Sequence, residues 1–164
     1  MFENLAPLLY LKLSSQSLSG IHLPSGKTFN EPPLLAMQVL NGKRQAVAVG
    51  EAARKLQGKA DVELLNGFEH PRSLLADFSI AEKTLQLFFR QLTPKSLFKP
   101  APVVVLHPQE HLEGGLTQIE ARGLHELCCC AGARKVHLWI GRELSQEELR
   151  SRQFPADGGS LIAP

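Results

Sequence analysis

Few residues of this sequence stand at spacings that could support chemistry. His107 and His111 are four residues apart, which on a helix would place two imidazoles on one face. Pro108 lies between them and no third ligand accompanies them, so a zinc site is not predicted. The three cysteines are consecutive, at positions 128–130, and side chains of adjacent helical residues point in different directions. We therefore expect no bound metal, and we interpret the cysteines as small core or near-core residues in a reducing cytoplasm.

The composition excludes several classes of protein. The chain has 164 residues, a hydrophobic fraction of 43% and a formal net charge of +2. This hydrophobic fraction supports a folded core. The Lys and Arg residues are spread along the chain, so no basic patch indicates nucleic-acid binding. No apolar run is long enough to predict a transmembrane helix, and Met1-Phe2-Glu3-Asn4 lacks the basic region of a secretory signal.

Hydrophobic periodicity predicts the elements that must position any site. Strands are expected at 8–13, 18–23, 34–40 and 46–49, with Asn41-Gly42 forming a hairpin turn. A predicted capping box, Ser79 to Glu82, opens a helix whose apolar residues run from Ile80 to Leu92. A second helix is expected from Leu116 to Ala131, and a short one after Ser145. Apolar runs at 103–106 and 136–140 predict buried strands. Residues 155–164 are rich in turn formers and are expected to form a flexible tail.

The order of these elements predicts the fold class. A β-meander is followed by strands that alternate with single helices, which favours parallel pairing through crossovers. The expected product is a mixed sheet with helices on its faces, an α/β domain of the ribonuclease H-like plan.

Six segments, taken in order, are similar to MreB, the rod shape-determining bacterial actin family. These segments are Lys27-Thr28-Phe29-Asn30-Glu31-Pro32-Pro33, Ala46-Val47-Ala48-Val49-Gly50-Glu51-Ala52-Ala53, Ala76-Asp77-Phe78 with Glu82-Lys83, Leu97-Phe98-Lys99-Pro100, Gln118-Ile119-Glu120-Ala121-Arg122 and Ala131-Gly132-Ala133-Arg134-Lys135-Val136. The resemblance implies an actin-like ATPase lobe, subdomain I, over residues 1–154. It also implies that the second phosphate loop and the adenosine-binding lobe lie beyond this chain's end.

The resemblance also locates a degenerate first phosphate loop. In the family, an Asp-x-Gly-Thr loop follows the first strand; its Asp holds the hydrated Mg²⁺ and its Gly lets backbone N–H groups reach the phosphates. Lys12 stands at the Asp position, and Ser14 and Ser15 stand at the Gly-Thr positions. Reversing a charge beside a cation costs about 4 kcal/mol. Lys12 is then either a solvated strand-end residue or a direct phosphate ligand without Mg²⁺.

Three further residues match functional positions of the family. Glu120 matches the glutamate that orients the attacking water; the alternative is an exposed helical Glu paired with a nearby Arg. Leu97 and Phe98 match a loop that presses into the membrane surface, with Phe2 and Leu5 as a second anchor; the alternative is that they cap the core.

These residues support two hypotheses about function. The first is a non-catalytic interaction module of the bacterial cell-shape cytoskeleton, without ATP or Mg²⁺, whose protein partner is an MreB filament or a shape-complex component. The alternative is an ATPase lobe that completes its site by dimerising or by pairing with a second lobe. A nuclease is disfavoured because the central strands lack clustered carboxylates. The expected location is the cytoplasm, with a peripheral contact at the inner face of the membrane.

Overall fold

The computed structural model describes residues 6–93 and 100–164. The strands of this part of the chain are β1 (Leu8–Leu13), β2 (Leu18–His22), β3 (Lys27–Glu31), β4 (Leu35–Leu40), β5 (Lys43–Val49), β6 (Val62–Leu65), β7 (Val103–Pro108), β8 (Lys135–Gly141) and β9 (Gly159–Ile162). The helices are α1 (Gly50–Arg54), α2 (Phe78–Leu92), α3 (Gln118–Cys130) and α4 (Gln146–Ser151).

A six-stranded mixed sheet forms the body of the fold, in the order β3-β2-β1-β7-β8-β9. Its central strands β1, β7 and β8 run parallel, and α3 connects β7 to β8. The outer strands β2, β3 and β9 pair antiparallel. The predicted α/β class, a mixed sheet with helices on its faces, is confirmed.

A second sheet of three strands, in the order β5-β4-β6, separates from this body. One continuous meander was expected, and that prediction is wrong. Pro32 and Pro33 follow β3; they have no backbone N–H to donate to a ladder, so the chain leaves the first sheet there. The Asn41-Gly42 hairpin forms as predicted, with Asn41 at φ 51° and Gly42 at φ 74°. Strand β6 was not predicted.

The expected flexible tail is also wrong, because residues 159–162 form β9 and pair with β8. Glycine makes this pairing possible: a Cβ on Gly159 would lie 2.2 Å from the Trp139 ring, and a Cβ on Gly141 would lie 2.2 Å from the Gly158 carbonyl oxygen. The glycines of this segment favour a tail in the sequence, yet in the structure Gly159 allows β9 to approach Trp139 closely.

Helix starts were predicted correctly at α4 and wrongly at α2. Ser145 and Glu148 form the predicted capping box. At α2 the N-cap is Asp77, whose carboxylate accepts a hydrogen bond from the Ile80 N–H at 3.0 Å, so Ser79 lies inside the helix. An Asp at this position satisfies an amide that has no partner within the helix.

Strand alternation divides the core into two unequal clusters. Leu9, Leu11 and Leu13 of β1 pack beneath α2 and α3, on what we call the α2–α3 face. Leu8 and Tyr10 point to the opposite side, the α4 face, where they pack with Trp139 and Leu149. Lys12 follows the alternation onto the α4 face.

Across residues 6–93 and 100–164, no helix combines the length and the apolar character needed to span a bilayer.

Candidate functional site

The parallel strands β1, β7 and β8 end at one edge of the sheet, which we call the carboxyl edge. It comprises the turn at 14–17 after β1, Glu110 after β7 and Glu143 after β8. Ligand sites of open α/β sheets lie at such edges. The structure therefore brings Lys12, Ser14 and Ser15 to the expected part of the fold.

Lys12 is held by an ion pair. Its Nζ lies 2.8 Å from the Oε1 of Glu143, and 27% of the Lys12 side chain is exposed. A solvated strand end and a direct phosphate ligand were the two expectations. The structure instead places a carboxylate of the same chain on the ammonium group, so its charge already has a counter-ion.

The turn after β1 is closed by its own hydrogen bonds. The Ser14 Oγ accepts from the Ser17 N–H at 3.0 Å and donates to the Ser17 carbonyl oxygen at 3.3 Å. The Ser15 N–H donates to the carboxylate of Glu110, and the Ser15 carbonyl oxygen accepts from the Asn66 side-chain amide at 2.7 Å. Both backbone polar groups of Ser15 therefore have partners within the chain.

These contacts decide whether the turn fits the group that the family resemblance implies. A phosphate loop offers backbone N–H groups and cationic charge to the phosphates, and a carboxylate to the metal. Here the Ser15 N–H and the Lys12 ammonium both contact carboxylates, which would repel a phosphate. Within the described ranges, no cluster of three His, Cys, Asp or Glu side chains is placed to hold a metal ion. The carboxyl edge does not fit a magnesium-bound phosphate.

The space next to the ion pair is small. A cleft of about 280 Å³ opens between Lys12 and Glu143 on one side and Thr28 and Phe29 on the other. Small-molecule sites commonly measure roughly 300–1,000 Å³. This cleft lies just below that range.

Glu120 lies on the first turn of α3 and is engaged in capping that helix. Its Oε2 accepts hydrogen bonds from the N–H and the hydroxyl of Thr117, each at 2.9 Å, and the Thr117 hydroxyl oxygen accepts from the Glu120 N–H. Among the described residues, no hydrogen bond joins Glu120 to the turn at 14–17. The capping box with Thr117, and not the expected Arg partner, holds the Glu120 side chain.

The candidate membrane residues Leu97 and Phe98, together with Phe2 and Leu5, lie outside the described residues.

A buried hydrogen-bond chain, which the sequence did not reveal, positions Glu143. The His107 Nε2 donates to the Gly141 carbonyl oxygen at 2.8 Å, which leaves Nδ1 to accept from the Tyr10 hydroxyl at 2.7 Å. The Tyr10 oxygen in turn accepts from the Leu144 N–H at 3.3 Å. Because both ring nitrogens of His107 are used, the ring is not free to ligate a metal with His111.

Burial sets the protonation states of Tyr10 and His107 in this hydrogen-bond chain. Desolvation raises the pKa of Tyr10 to about 12, so the phenol stays protonated and can donate. Desolvation also lowers the pKa of His107, an effect that Lys12 reinforces and that the Gly141 hydrogen bond opposes. A neutral imidazole and a neutral phenol therefore tie the turn after β8 to the sheet, which holds Glu143 over Lys12.

Sequence reasoning missed Glu110, Glu143, Asn66 and Tyr10, and it considered His107 only as a metal ligand. One signal was available for the two glutamates: each follows a predicted parallel strand closely, where polar side chains converge on the ends of neighbouring strands.

Comparisons with known proteins place the chain in a family. The model of the MreB/Mbl protein family matches residues 22–142. Cell shape-determining protein MreB of Escherichia coli strain K12 is 32% identical over 116 residues, which are 69% of this chain and 32% of that protein. The chain thus spans about a third of the length of this relative.

Two solved structures share the fold. MreB5 of Spiroplasma citri bound to AMPPNP superposes with a TM-score of 0.61 at 23% identity, covering 81% of this chain and 38% of that one. A non-polymerising mutant of MamK bound to AMPPNP superposes with a TM-score of 0.64 at 11% identity, covering 82% and 40% respectively. The family model, which matches well over half of the residues, identifies the protein: the chain belongs to the MreB/Mbl family and has its actin-like fold.

Proposed function

We propose that this chain is a non-catalytic interaction module of the bacterial cell-shape cytoskeleton. In this role it binds an MreB-type filament, or a component of the complex around it, without turning over ATP. Family membership supports the cytoskeletal part of the proposal. The relative from E. coli carries the name of a cell shape-determining protein, and MamK forms a double helical filament.

The ion pair between Lys12 and Glu143 is the observation that carries the non-catalytic part. Phosphoryl transfer depends on cationic charge placed where the transition state develops negative charge. The resemblance puts Lys12 at the position of the metal-holding carboxylate, and Glu143 neutralises it at 2.8 Å. Position 12 therefore supplies neither a carboxylate ligand for the metal nor an unpaired positive charge.

A filament partner follows from how actin-like subunits assemble. Head-to-tail assembly uses two different surfaces of each subunit, so a molecule that presents one of them binds an end and stops growth there. The chain shares an actin-like lobe with its relatives, and we propose that it caps or modulates filament ends in this way. The site of action is the cytoplasm, where such filaments assemble.

The test is a sedimentation assay with E. coli MreB, Mg²⁺ and ATP, to which the 164-residue protein is added at increasing ratio. End capping predicts that pelleted MreB falls at substoichiometric ratios, while an unrelated protein of similar mass leaves it unchanged. Phosphate release by the protein alone should equal that of buffer. An unchanged MreB pellet at equimolar ratio contradicts the proposal, and Mg²⁺-dependent phosphate release favours the ATPase alternative.

Glu120→Gln is the matched variant for the enzymatic arm. Glutamine preserves the capping box with Thr117, so α3 should be as stable as in the wild type. If Glu120 oriented an attacking water, any phosphate release would fall in this variant. We expect no difference from the wild type in either assay.

A peripheral membrane contact is the second part of the proposal, and it rests on the resemblance at Leu97 and Phe98. These adjacent apolar residues are flanked by Lys95 and Lys99 in the sequence. Burying each side chain contributes about 1.5–3 kcal/mol, so one copy binds only transiently and a filament would supply avidity. Liposome sedimentation should fall for Leu97→Asp/Phe98→Asp; equal pelleting of wild type and variant rejects the contact.

A further inference from the structure

The carboxyl edge has a further property that does not depend on filament binding. Three neighbouring parallel strands, β1, β7 and β8, end side by side there. Strand β1 and the turn after it each supply one hydrogen-bond donor, whereas the loops after β7 and β8 each supply one carboxylate. Glu110 and Glu143 come from positions 95 and 131 residues distant from their partners, so only the folded sheet brings these charges together.

The donors at this edge are of the kind that bind oxyanions. Backbone N–H groups in tight turns and Lys ammonium groups both bind phosphate in proteins. Here the Ser15 N–H donates to Glu110, and the Lys12 Nζ donates to Glu143 at 2.8 Å. Each donor therefore already contacts an anionic oxygen.

Other contacts hold Ser15 and the turn that carries Glu143. The Ser15 carbonyl oxygen accepts a hydrogen bond from the Asn66 side-chain amide at 2.7 Å, and the Ser15 N–H donates to Glu110. On the other side, the bonds from His107 to Gly141 and from Leu144 to Tyr10 hold the turn that carries Glu143. The two internal contacts are thus built into the fold on both sides of the edge.

We infer that the carboxyl edge carries two oxyanion-binding donors that the chain fills with its own side chains, the carboxylates of Glu110 and Glu143 standing where phosphate oxygens would bind. A phosphate that approaches either donor must displace a carboxylate and stay beside its negative charge, which disfavours its binding. Removing both carboxylates frees the Ser15 N–H and the Lys12 ammonium for a phosphate.

The experiment uses inorganic phosphate and ATP, each with and without Mg²⁺, as probes in calorimetric titrations of the full chain. The wild type should give no saturable binding to any of them. Glu110→Ala/Glu143→Ala should bind phosphate with a dissociation constant on the order of 1 mM, a gain of at least about tenfold over the wild type. Adding Lys12→Ala to this double variant should abolish the gain.

A matched control separates a local site from a general increase in positive charge. The side chains of Glu51 and Glu63 are 46% and 59% exposed and pair with Arg54 and Arg44, so Glu51→Ala/Glu63→Ala changes the net charge equally, away from the carboxyl edge. This control should bind phosphate no better than the wild type. An equal gain in the control, no gain in the test variant, or saturable binding by the wild type would each overturn the inference.

If the double variant does not fold, as judged by circular dichroism, the single variant Glu110→Gln supplies the test. Glutamine keeps the shape and removes the charge, so phosphate should shift the Ser15 amide resonance in the variant more than in the wild type. An identical response in both proteins overturns the inference. Because no filament is present in these experiments, their outcome is independent of the sedimentation assay.

Discussion

The two faces of the six-stranded sheet are stabilised by different kinds of contact. On the α2–α3 face the core is made mainly of aliphatic and aromatic side chains, such as Leu85, Phe88 and Leu124, which are almost fully buried. On the α4 face a smaller cluster surrounds Tyr10, His107 and Trp139, whose polar atoms are all hydrogen-bonded. One face relies on buried apolar area, and the other on satisfied polar groups.

This difference indicates what each face does for the molecule. Apolar contact is nondirectional, so the α2–α3 face contributes stability without placing any one atom. Hydrogen bonds have strict geometry, so the α4 face can fix the turn after β8 and with it Glu143. Variants on the two faces should accordingly differ in both the size and the kind of their effects.

The largest effect is expected from breaking the apolar face. Phe88 is 1% exposed and stacks on Phe29 at a centroid distance of 6.2 Å. Phe88→Ala leaves a cavity and should lower the free energy of unfolding by about 3–5 kcal/mol. Ile119→Ala is the control, since that side chain is 84% exposed and should change little. Urea denaturation measures both; similar losses would show that the face is not the main source of stability.

A smaller effect of a different kind is expected on the α4 face. Tyr10→Phe keeps the ring but removes the hydroxyl, so His107 Nδ1 and the Leu144 N–H both lose a buried partner. The free energy of unfolding should fall by about 1–3 kcal/mol.

Thr84→Val is the matched control on the other face. The Thr84 hydroxyl is also buried and donates to the Ile80 carbonyl oxygen at 2.7 Å, but that oxygen has its ordinary helical partner within α2. We expect a smaller loss than in Tyr10→Phe. Equal losses in the two variants would mean that the hydrogen bonds of the Tyr10 hydroxyl contribute no more stability than an ordinary buried hydroxyl does.

The same contrast explains what the sequence could and could not predict. The spacing of apolar residues is a local feature of the sequence, so β1, β7, β8 and the helices of the α2–α3 face could be predicted. The contacts of Lys12 with Glu143 and of Ser15 with Glu110 join residues more than ninety positions apart, and no local pattern encodes them. Strand β9 was not predicted for a related reason: Gly159 is needed because the strand packs closely against the Trp139 ring, and that contact is not visible in the local sequence.

Acid should destabilise the protein through one histidine on each face. Desolvation lowers the folded-state pKa of His107 on the α4 face and of His22 on the α2–α3 face. His22 is 3% exposed and lies beside Leu9 on the neighbouring strand, on the same side of the sheet. The unfolded chain then binds protons first, at its ordinary pKa of about 6.5. The free energy of unfolding should therefore fall as pH drops through about 6.5, and this loss should stop growing below the folded-state values.

Urea denaturation between pH 5 and 8 measures this slope, with His70→Gln as a control at an exposed position. The control should reproduce the wild-type slope. Stability that does not change across this range would contradict the burial of neutral histidines on both faces.

The smallest effect is expected from the ion pair itself, although it defines the carboxyl edge. Lys12 and Glu143 are 27% and 66% exposed, so solvent screens their attraction. A double-mutant cycle with Lys12→Ala and Glu143→Ala should give a coupling energy below about 1 kcal/mol at low salt, decreasing as salt is added. The Arg44–Glu63 pair on the three-stranded sheet, more exposed on its Arg side, serves as the comparison.

In Tyr10→Phe the turn that carries Glu143 loses its anchor, so the Lys12–Glu143 coupling should fall while the Arg44–Glu63 coupling stays unchanged. A Lys12–Glu143 coupling that persists in Tyr10→Phe would show that the polar α4 face does not position this carboxylate.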